Sequence, residues 1–343
     1  MISNPISVQS GQSLLDYNSF HINESSRFFC QVSETEQIQE ALNFAKSQNL
    51  EVLILGGGSN ILLTKAFDGI TIRITNKGIE VLEINDDHVI LRVAAGENWH
   101  SFVEHCLENK FFGLENLSLI PGSVGAAPMQ NIGAYGVEVG STIVSVQYFD
   151  RQKERFEHIS AEDCKFAYRE SIFKNKLKNS AIIWTVDFKL SRHAKPATGY
   201  GDIAALLSKQ GISNPAPADV SRAVIEIRRS KLPDPAVLGN AGSFFKNPVI
   251  SSTDFEILKK EWPEIPSYPA PEGLVKVPAG WLIEKAGWKG YRAGNCGVHE
   301  RQALVLVNHG SAKGSDILNL AWEIIEDVRQ KFGIQLHPEV NII

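Results

Sequence analysis

The chain has 343 residues, of which 43% are hydrophobic, and a formal net charge of −5 at pH 7. This length predicts roughly two to three domains, each with enough apolar side chains for its own core. The net negative charge argues against general nucleic-acid binding. No apolar run reaches the ~18 residues of a membrane span, so we expect a protein without a membrane partner.

The N-terminal segment and the cysteines bear on the compartment. Residues 1–12 are polar and lack the apolar region of a signal peptide. Cys30, Cys106, Cys164 and Cys296 form neither a C-x-x-C pair nor a Cys/His metal pattern. Few, scattered cysteines fit a reducing environment, so we expect a cytoplasmic protein without a bound metal.

The first predicted elements are a helix and a buried strand. Ser33 and Glu36 fit a capping box ahead of the helix. The strand Val52–Leu55 runs directly into the glycine cluster LGGGSN, the first glycine cradle (Leu55–Asn60). The next predicted elements are strands at 70–74, 79–85, 88–94, 142–150 and 181–190, and a helix with Trp99, Phe102, Val103 and Cys106 on its buried face.

A second glycine cradle, Ile120–Gly136, follows that helix and reads IPGSVGAAPMQNIGAYG. It is rich in small residues, which disfavour a long helix and let the backbone approach a ligand closely. It also carries Ile120, Val124 and Met129, which a solvated linker would not. Neither cradle has the spacing of a Rossmann motif or a P-loop. Each alone could be a tight turn, but the pair predicts one long, phosphate-bearing cofactor.

Residues 191–217 are punctuated by Gly and Pro and predict a boundary or a mobile insert with few buried contacts, which includes a short helix near 203–210. The next predicted helix ends at Pro233. The remaining predicted elements are helices near 252–262, 279–286 and 315–332, the strand Leu304–Val307, and a short strand and tail over 334–343.

Three polar residues stand out by their surroundings. Ser243 lies in GNAGSFFKNP, Glu339 in an apolar C-terminal segment, and Arg169 in FAYRES. Each alone fits a structural role as well, namely a turn cap, a tail residue or a surface ion pair. Ser243 lacks the G-x-S-x-G pattern of a hydrolase. Basic residues that fit either a helix surface or an anionic ligand are Arg228, Arg229, Lys231, Lys246, Lys285 and Lys289.

The chain resembles the UDP-N-acetylenolpyruvoylglucosamine reductase family, flavoenzymes of bacterial peptidoglycan synthesis. The resemblance extends from NSFHI at Asn18 to HPEV at His337. The segments that carry it are LGGGSNILL, LSLIPGSVGAAPMQNIGAYGVEV, FAYRESIFK, RRSKLPDP, GNAGSFFKNPV, PAGWLIEKAGWKG and HPEV.

The resemblance implies an α+β fold, in which a two-part FAD-binding domain of the vanillyl-alcohol-oxidase/PCMH type precedes a smaller α+β substrate-binding domain. The implied ranges are an FAD-binding domain at 1–190 with subdomains at about 1–68 and 69–190, an insert or lid at 191–217, a substrate-binding domain at 218–333, and a tail at 334–343 that returns to the flavin site.

The resemblance also implies the chemistry. NADPH would reduce non-covalent FAD, which would reduce UDP-N-acetylglucosamine enolpyruvate to UDP-N-acetylmuramate. Ser243 would donate a proton, while Arg169 and Glu339 would stabilise the enol intermediate. The implied FAD-binding residues are Gly56, Gly57, Gly58, Ser59, Asn60, Ile120, Pro121, Gly122, Ser123, Gly125, Ala126, Asn131, Gly133, Tyr135 and Gly136.

Four further residues match positions that contact the substrate or the nicotinamide phosphates: Tyr200, Lys231, Asn247 and Lys289. Tyr200 in ATGYGD matches the form of the family whose insert carries a tyrosine. One departure is Asn341, where several relatives have a basic residue, and this puts one contact from the tail in doubt.

Two alternatives stay open at this point. One is another FAD enzyme of the same fold, such as a sugar or alcohol oxidase, which often tethers its flavin through His or Cys. Neither cradle contains either residue. The other is a non-catalytic flavin or nucleotide-sugar binding protein. We further expect a monomer whose partners are the UDP-sugar and NADPH.

Overall fold

The structure of the chain, a computed structural model, describes residues 5–343. The first four residues of the polar N-terminal segment lie outside the described residues. Within 5–343 the helices are α1 (Thr35–Ser47), α2 (Trp99–Glu108), α3 (Gly201–Lys209), α4 (Pro217–Lys231), α5 (Ser252–Glu261), α6 (Ala279–Lys285) and α7 (Gly314–Phe332). None of these helices combines the length and the apolar character that crossing a membrane requires.

The strands of the first part of the chain are β1 (Gln9–Ser13), β2 (Ser25–Val32), β3 (Glu51–Leu55), β4 (Ile61–Leu62), β5 (Phe67–Ile74), β6 (Ile79–Ile84), β7 (His88–Ala94), β8 (Gly133–Ala134), β9 (Val137–Glu138), β10 (Ile143–Asp150), β11 (Arg155–Ser160) and β12 (Ala181–Ser191). Those of the second part are β13 (Gly239–Asn240), β14 (Val249–Ser251), β15 (Tyr268–Pro269), β16 (Leu274–Lys276), β17 (Arg292–Ala293), β18 (Cys296–Val298), β19 (Leu306–Asn308) and β20 (Asn341–Ile342).

The chain divides into two compact units that are not continuous in sequence. The first unit holds 5–12, 26–57 and 68–230, and the second holds 13–25, 58–67 and 231–343. These units are defined by compactness and not by the ligand that each part binds. The FAD-binding, insert, substrate-binding and tail ranges inferred from the sequence therefore stay a prediction.

The first unit is built on two sheets. One has the order β1-β2-β5-β3, in which β3 and β5 are parallel, and the other has the order β11-β10-β12-β7-β6. α2 packs the four apolar residues predicted for its buried face, all of them 1% exposed or less. The ring centroids of Trp99 and Phe102 lie 6.0 Å apart, and those of Phe102 and Phe188 on β12 lie 5.0 Å apart. This aromatic core fixes the start of α2, which precedes the second glycine cradle.

The second unit contains the sheet β13-β19-β18-β17, the sheet β14-β16-β15 and the parallel pair β20-β4. α7 packs against β18 and β19 with an apolar stripe at Ile317, Ala321, Ile324 and Val328. It ends at Gly333, whose φ of 68° is the left-handed value expected of a C-terminal cap.

The capping of α1 differs from the predicted pair of Ser33 and Glu36. Gln37 is buried, and its Oε1 accepts hydrogen bonds from the backbone N–H groups of Ser33 (2.8 Å) and Glu34 (3.1 Å). Glu34 is the N-cap residue, and Glu36 instead accepts a hydrogen bond from the Thr35 hydroxyl. The capping box is therefore shifted by one residue, because the longer Gln37 side chain satisfies two N–H groups at once.

Other elements also depart from the sequence predictions. Strands β2 and β11 were not predicted, because polar residues interrupt their apolar patterns. The insert at 191–217 was expected to have few buried contacts, yet Ile203 and Leu207 of α3 are buried against Val220 and Val224 of α4. That expectation is wrong for α3, whereas residues 192–200 are mostly exposed.

Candidate active site

The two glycine cradles meet in the first unit. A Cβ atom on Gly57 would lie 2.8 Å from Gly122 Cα, and one on Gly56 would lie 2.5 Å from Ser123 Oγ. Within residues 5–343, the backbone N–H groups of Gly57, Gly122 and Ser123 donate no hydrogen bond to the protein. The two glycine-rich segments approach each other closely, and their N–H groups remain available to a ligand. Such N–H groups are suited to binding the phosphates of a long cofactor.

The end of β7 anchors the middle of the second glycine cradle. Gly125 donates its backbone N–H to Ala95 O at 2.8 Å, and a Cβ on Gly125 would lie 2.5 Å from Ala95 Cβ. Glycine is therefore required here for close approach to the strand end rather than for a ligand. Ala126 is exposed beside it, and Ile120 packs partly buried against the core.

The last part of the second cradle is a small hairpin formed by β8 and β9. Tyr135 and Gly136 form its tip with φ values of 50° and 81°, the left-handed conformation at both positions that a tight hairpin turn needs. Asn131 supports the hairpin from below. Its side-chain amide accepts from Gly140 N at 2.8 Å and donates to Glu138 Oε2 at 2.8 Å. Its side chain is thus committed to shaping the cradle.

Arg169 lies beside this hairpin. Ala167 and Glu170 exchange two backbone hydrogen bonds of 3.1 Å, which places Arg169 in a tight turn with a φ of 55°. Its Nη2 donates to Gly133 O at 3.0 Å. A non-glycine residue in this conformation is strained, and such strain often marks functional positions. The turn holds the guanidinium at the second glycine cradle.

Arg228 on α4 is a further candidate site residue, which in the sequence is only one member of a basic cluster. Its Nε is buried and has no hydrogen-bond partner among residues 5–343. Burial lowers the pKa of Arg228, the nearby Tyr135 hydroxyl opposes this, and Arg169 adds to the lowering. Because arginine stays protonated even so, two guanidinium groups face one region of the first unit and favour an anion there.

A sequence signal for Arg228 was available. It follows Val220 and Val224 at intervals of four residues, so helical periodicity places it on the buried face of α4. The adjacent Arg229 is exposed. An arginine on the apolar face of a helix, without an acidic neighbour on that face, predicts a buried arginine that is available to an anionic ligand.

Tyr200 lies at the N-terminus of α3 and contacts the hairpin tip. Its ring packs edge-on against Tyr135 with the centroids 5.8 Å apart, and it remains 41% exposed. Asn116 Nδ2 donates to Ala197 O at 2.9 Å and to Tyr135 O at 3.1 Å. The segment before α3 is thus held to the second cradle at Ala197 and Tyr200 and is otherwise mostly exposed.

In the second unit, the structure brings Ser243 and Glu339 onto neighbouring segments. Phe244 O accepts a hydrogen bond from Glu339 N at 2.7 Å, and Lys246 N donates to His337 O at 3.0 Å. Phe244 and Phe245 are buried in the core, whereas Ser243 is exposed. Glu339 is 9% exposed. The backbone pairing holds the segments of Ser243 and Glu339 next to each other, and a hydroxyl and a carboxyl group are side chains suited to proton transfer.

The C-terminal tail is tied to the end of the first glycine cradle. The backbone N–H and the Nδ2 of Asn341 both donate to Asn60 O, at 3.1 Å and 3.0 Å. Asn60 Nδ2 reaches back to Glu339 O at 3.4 Å. Gly58 also needs to be glycine, because its φ is 64° and a Cβ there would overlap Tyr17 O. Asn341 thereby gains a structural role, as an anchor of the segment that carries Glu339.

The remaining predicted substrate residues lie on separate elements and have different partners. Asn247 Oδ1 accepts from Ala279 N at 2.9 Å and so caps α6. Lys289 Nζ lies 3.0 Å from Glu284 Oε1 in a partly exposed ion pair. Lys231 is exposed at the last residue of α4.

The cysteines do not contribute nucleophiles. All four are buried and free. Burial raises the pKa of the Cys30 thiol to about 11 and, with a smaller contribution from Asp163, that of Cys164 to about 12. Reactive thiolates at neutral pH are excluded for these residues, which fits a ligand held by backbone and charge.

Comparison with known proteins gives matches over both parts of the chain. The FAD binding domain family matches residues 26–157, and the family of the C-terminal domain of UDP-N-acetylenolpyruvoylglucosamine reductase matches residues 234–343. The UDP-N-acetylenolpyruvoylglucosamine reductases of Chromobacterium violaceum and Flavobacterium johnsoniae are 49% and 50% identical to this chain. The matches cover 96% and 98% of this chain and 97% and 99% of those proteins.

A solved structure has the same fold. The crystal structure of UDP-N-acetylenolpyruvylglucosamine reductase from Thermus caldophilus is 22% identical, with a TM-score of 0.67, and covers 98% of this chain and 99% of that one. The predicted fold class is confirmed: an FAD-binding domain of the vanillyl-alcohol-oxidase/PCMH type precedes a C-terminal domain in a mixed α+β chain.

Proposed function

Because this chain belongs to the UDP-N-acetylenolpyruvoylglucosamine reductase family, we propose how its own residues carry out the family's reaction. It is an FAD-dependent oxidoreductase that uses NADPH in the synthesis of peptidoglycan precursors. The substrate is UDP-N-acetylglucosamine enolpyruvate, and the product is UDP-N-acetylmuramate. The observation that carries the assignment of roles is the pairing of the Ser243 and Glu339 segments.

FAD binds non-covalently to the two glycine cradles. Gly57, Gly122 and Ser123 provide N–H groups for its pyrophosphate, and this is supported by the lack of other acceptors for them within residues 5–343. Bound FAD supplies the redox chemistry between NADPH and the enolpyruvyl double bond. The other predicted cofactor residues act through the shape of the cradles, as Gly125 and Asn131 do by their contacts with Ala95 and Glu138.

Ser243 donates the proton that completes the reduction. Reducing the outer alkene carbon leaves negative charge on the neighbouring carbon and its carboxylate, and a carbanion of this kind is basic enough to take a proton from a hydroxyl. Glu339 lies on the adjacent segment, where a carboxyl group can stabilise the same charge. Its burial and its anchoring through Asn60 and Asn341 keep it in place.

Arg169 and Arg228 stabilise the anionic charge that develops during the reaction. Their guanidinium groups are close enough for Arg169 to lower the pKa of Arg228, and Arg228 forms no ion pair among the described residues. Two neighbouring positive charges, one of them without an ion pair, destabilise the free protein. They become favourable when a negatively charged substrate group or intermediate lies beside them. If the charge that develops on the substrate lies nearer this pair than the charges already present, the pair stabilises the transition state more than the bound substrate.

The enzyme is the form of the family whose insert carries a closing tyrosine. Tyr200 is exposed, contacts Tyr135 at the cradle, and begins α3. It closes over the UDP-sugar, with contributions from Lys231, Asn247 and Lys289. We further propose that the enzyme is cytoplasmic and monomeric. Multi-angle light scattering of the purified protein tests the oligomeric state, and the mass of a dimer would contradict the proposed monomer.

Separate measurement of the two half-reactions tests the assignment of Ser243. In Ser243→Ala, NADPH should reduce the flavin at a near-normal rate in stopped flow, while reoxidation by the enolpyruvyl substrate should slow at least ~10²-fold, as for loss of a general acid. Ser252→Ala, at an exposed serine of the same unit, is the control and should leave both rates unchanged. Slower reduction by NADPH in Ser243→Ala would show that the role is wrong.

A further inference from the structure

The first two residues of α2, Trp99 and His100, hold the entrance of the second glycine cradle through three hydrogen bonds. Trp99 Nε1 donates to Leu117 O at 2.9 Å, and Trp99 N donates to Gly122 O at 3.1 Å. Between these points, Leu119 N donates to His100 Nδ1 at 3.1 Å. The cradle is thus held on both sides of Leu119 and at Leu119 itself.

Leu119 is the point in this clamp that needs support. Its φ of 59° is left-handed, a conformation that side chains with a Cβ rarely adopt. Leu119 leads directly through Ile120 and Pro121 to Gly122 and Ser123, whose N–H groups have no acceptor among residues 5–343. The conformation of Leu119 therefore sets the direction of the N–H groups that face the cofactor.

The hydrogen bond requires one protonation state of His100. Nδ1 can accept from Leu119 N only as the unprotonated nitrogen of a neutral ring, with the proton on Nε2, which lies 3.5 Å from Glu104 Oε1. Protonation of Nδ1 would oppose two donors and break the contact.

We propose that His100 is a proton-controlled latch of the FAD site: as a neutral acceptor it holds Leu119 in its left-handed conformation, and its protonation loosens the second glycine cradle and weakens FAD binding. His100 acts through the backbone of Leu119 and is a positioning residue. The proposal rests on FAD binding by the cradles and goes beyond it, since it adds a pH dependence.

The surroundings of His100 fix the direction of that dependence. Burial is the largest influence and lowers its pKa below the usual 6.5; Glu104 on its own helix opposes the lowering, and Arg229 and Arg228 on α4 reinforce it. Because the pKa of His100 lies below 6.5, the latch is closed at neutral pH and opens only under more acidic conditions than a free histidine would require. The pyrophosphate of FAD stays ionised between neutral and mildly acidic pH. Titration of the ligand therefore does not cause the expected loss of FAD affinity at acidic pH.

The test is the dissociation constant of FAD, measured by flavin fluorescence on the apo form of the full chain at about pH 8 and about pH 5.5. The wild type should bind FAD several-fold more weakly at the lower pH. His100→Leu removes the acceptor and should bind about tenfold more weakly at the higher pH, with a reduced pH dependence. His100→Asn offers Oδ1 as an acceptor that does not titrate, so it should retain near-wild-type affinity and lose the pH dependence.

His105→Asn is the matched control, because it replaces the other histidine of α2 and should leave both the affinity and its pH dependence unchanged. The proposal is overturned if His100→Asn keeps the wild-type pH dependence, or if His100→Leu binds FAD as tightly as the wild type. Circular dichroism of each apo variant shows whether the fold is intact. A wild-type protein that binds no FAD at either pH would instead contradict the FAD assignment itself.

Discussion

At the scale of single residues, Arg228 illustrates how a site can be costly to the fold and useful to the reaction. A guanidinium with a buried Nε and no ion pair among the described residues destabilises the free protein. Natural proteins tolerate this mainly where function needs it. This is the reason for proposing that Arg228 and Arg169 stabilise an anion in the first unit.

Replacing Arg228 by methionine should separate these two effects. We expect Arg228→Met to raise the free energy of unfolding of the apo protein by on the order of 1 kcal/mol, because a buried charge is removed at similar volume. Turnover should fall at least ~10²-fold, as when one donor to a developing anion is lost. Thermal unfolding of the apo protein and steady-state NADPH oxidation measure the two quantities.

Arg222→Met is the control on the same helix. Arg222 is 70% exposed and pairs with Asp219, so its removal should change both stability and turnover little. A lower melting temperature for Arg228→Met would mean that Arg228 supports the fold, and the proposed role would fail.

At the scale of elements, the contact between the two glycine cradles is the feature that a side chain disturbs most directly. A Cβ on Gly57 would lie 2.8 Å from Gly122 Cα, and backbone cannot yield as a flexible side chain can. Gly57→Ala should therefore separate the cradles and reduce FAD affinity at least ~10-fold. Gly199→Ala, with no atom within 4 Å of the added Cβ, should bind FAD normally. Equal FAD content in both purified variants would contradict the account.

The insert makes a second prediction at this scale. Residues 203–209 of α3 are packed on α4 and should exchange their amide hydrogens slowly with or without ligand. Residues 195–200 should exchange quickly in the free enzyme and slow when the UDP-sugar binds. Tyr200→Phe should weaken substrate binding more than it slows flavin reduction by NADPH. Slow exchange at 195–200 in the free enzyme, unchanged by substrate, would make the segment a fixed insert.

The same elements show what the sequence could predict. Local patterns were sufficient for β3, for the buried face of α2 and for the end of α7 at Gly333, because periodicity and capping are local properties. They were insufficient for the capping by Gln37, the packing of α3 on α4 and the contact of His100 with Leu119. Each of those depends on a side chain meeting a partner that no local pattern specifies.

At the scale of the whole molecule, each compact unit contains its own set of predicted site residues. Arg169, Tyr200 and most of the glycine cradles belong to the first unit, and Ser243, Glu339 and Asn60 belong to the second. Ser243 and Glu339 are almost a hundred positions apart in the sequence and are aligned by backbone pairing. The family motifs identified these residues, and the structure supplied the alignment.

The mode of FAD binding can be tested on the intact protein. The purified chain should be yellow with one FAD for each polypeptide, and acid should release the flavin into solution. The reason is that both cradles lack His and Cys, while the N–H groups of Gly57, Gly122 and Ser123 donate to no acceptor among residues 5–343. Flavin that stays with the denatured chain would show a covalent bond and favour an oxidase of the same fold.

The most direct test of the reductase assignment is NADPH consumption by the purified enzyme with and without UDP-N-acetylglucosamine enolpyruvate. We expect NADPH oxidation to depend on that substrate and to yield one UDP-N-acetylmuramate for each NADPH consumed, identified by mass spectrometry. NADPH consumption that is unchanged by the enolpyruvyl substrate, or that yields no UDP-N-acetylmuramate, would contradict the account.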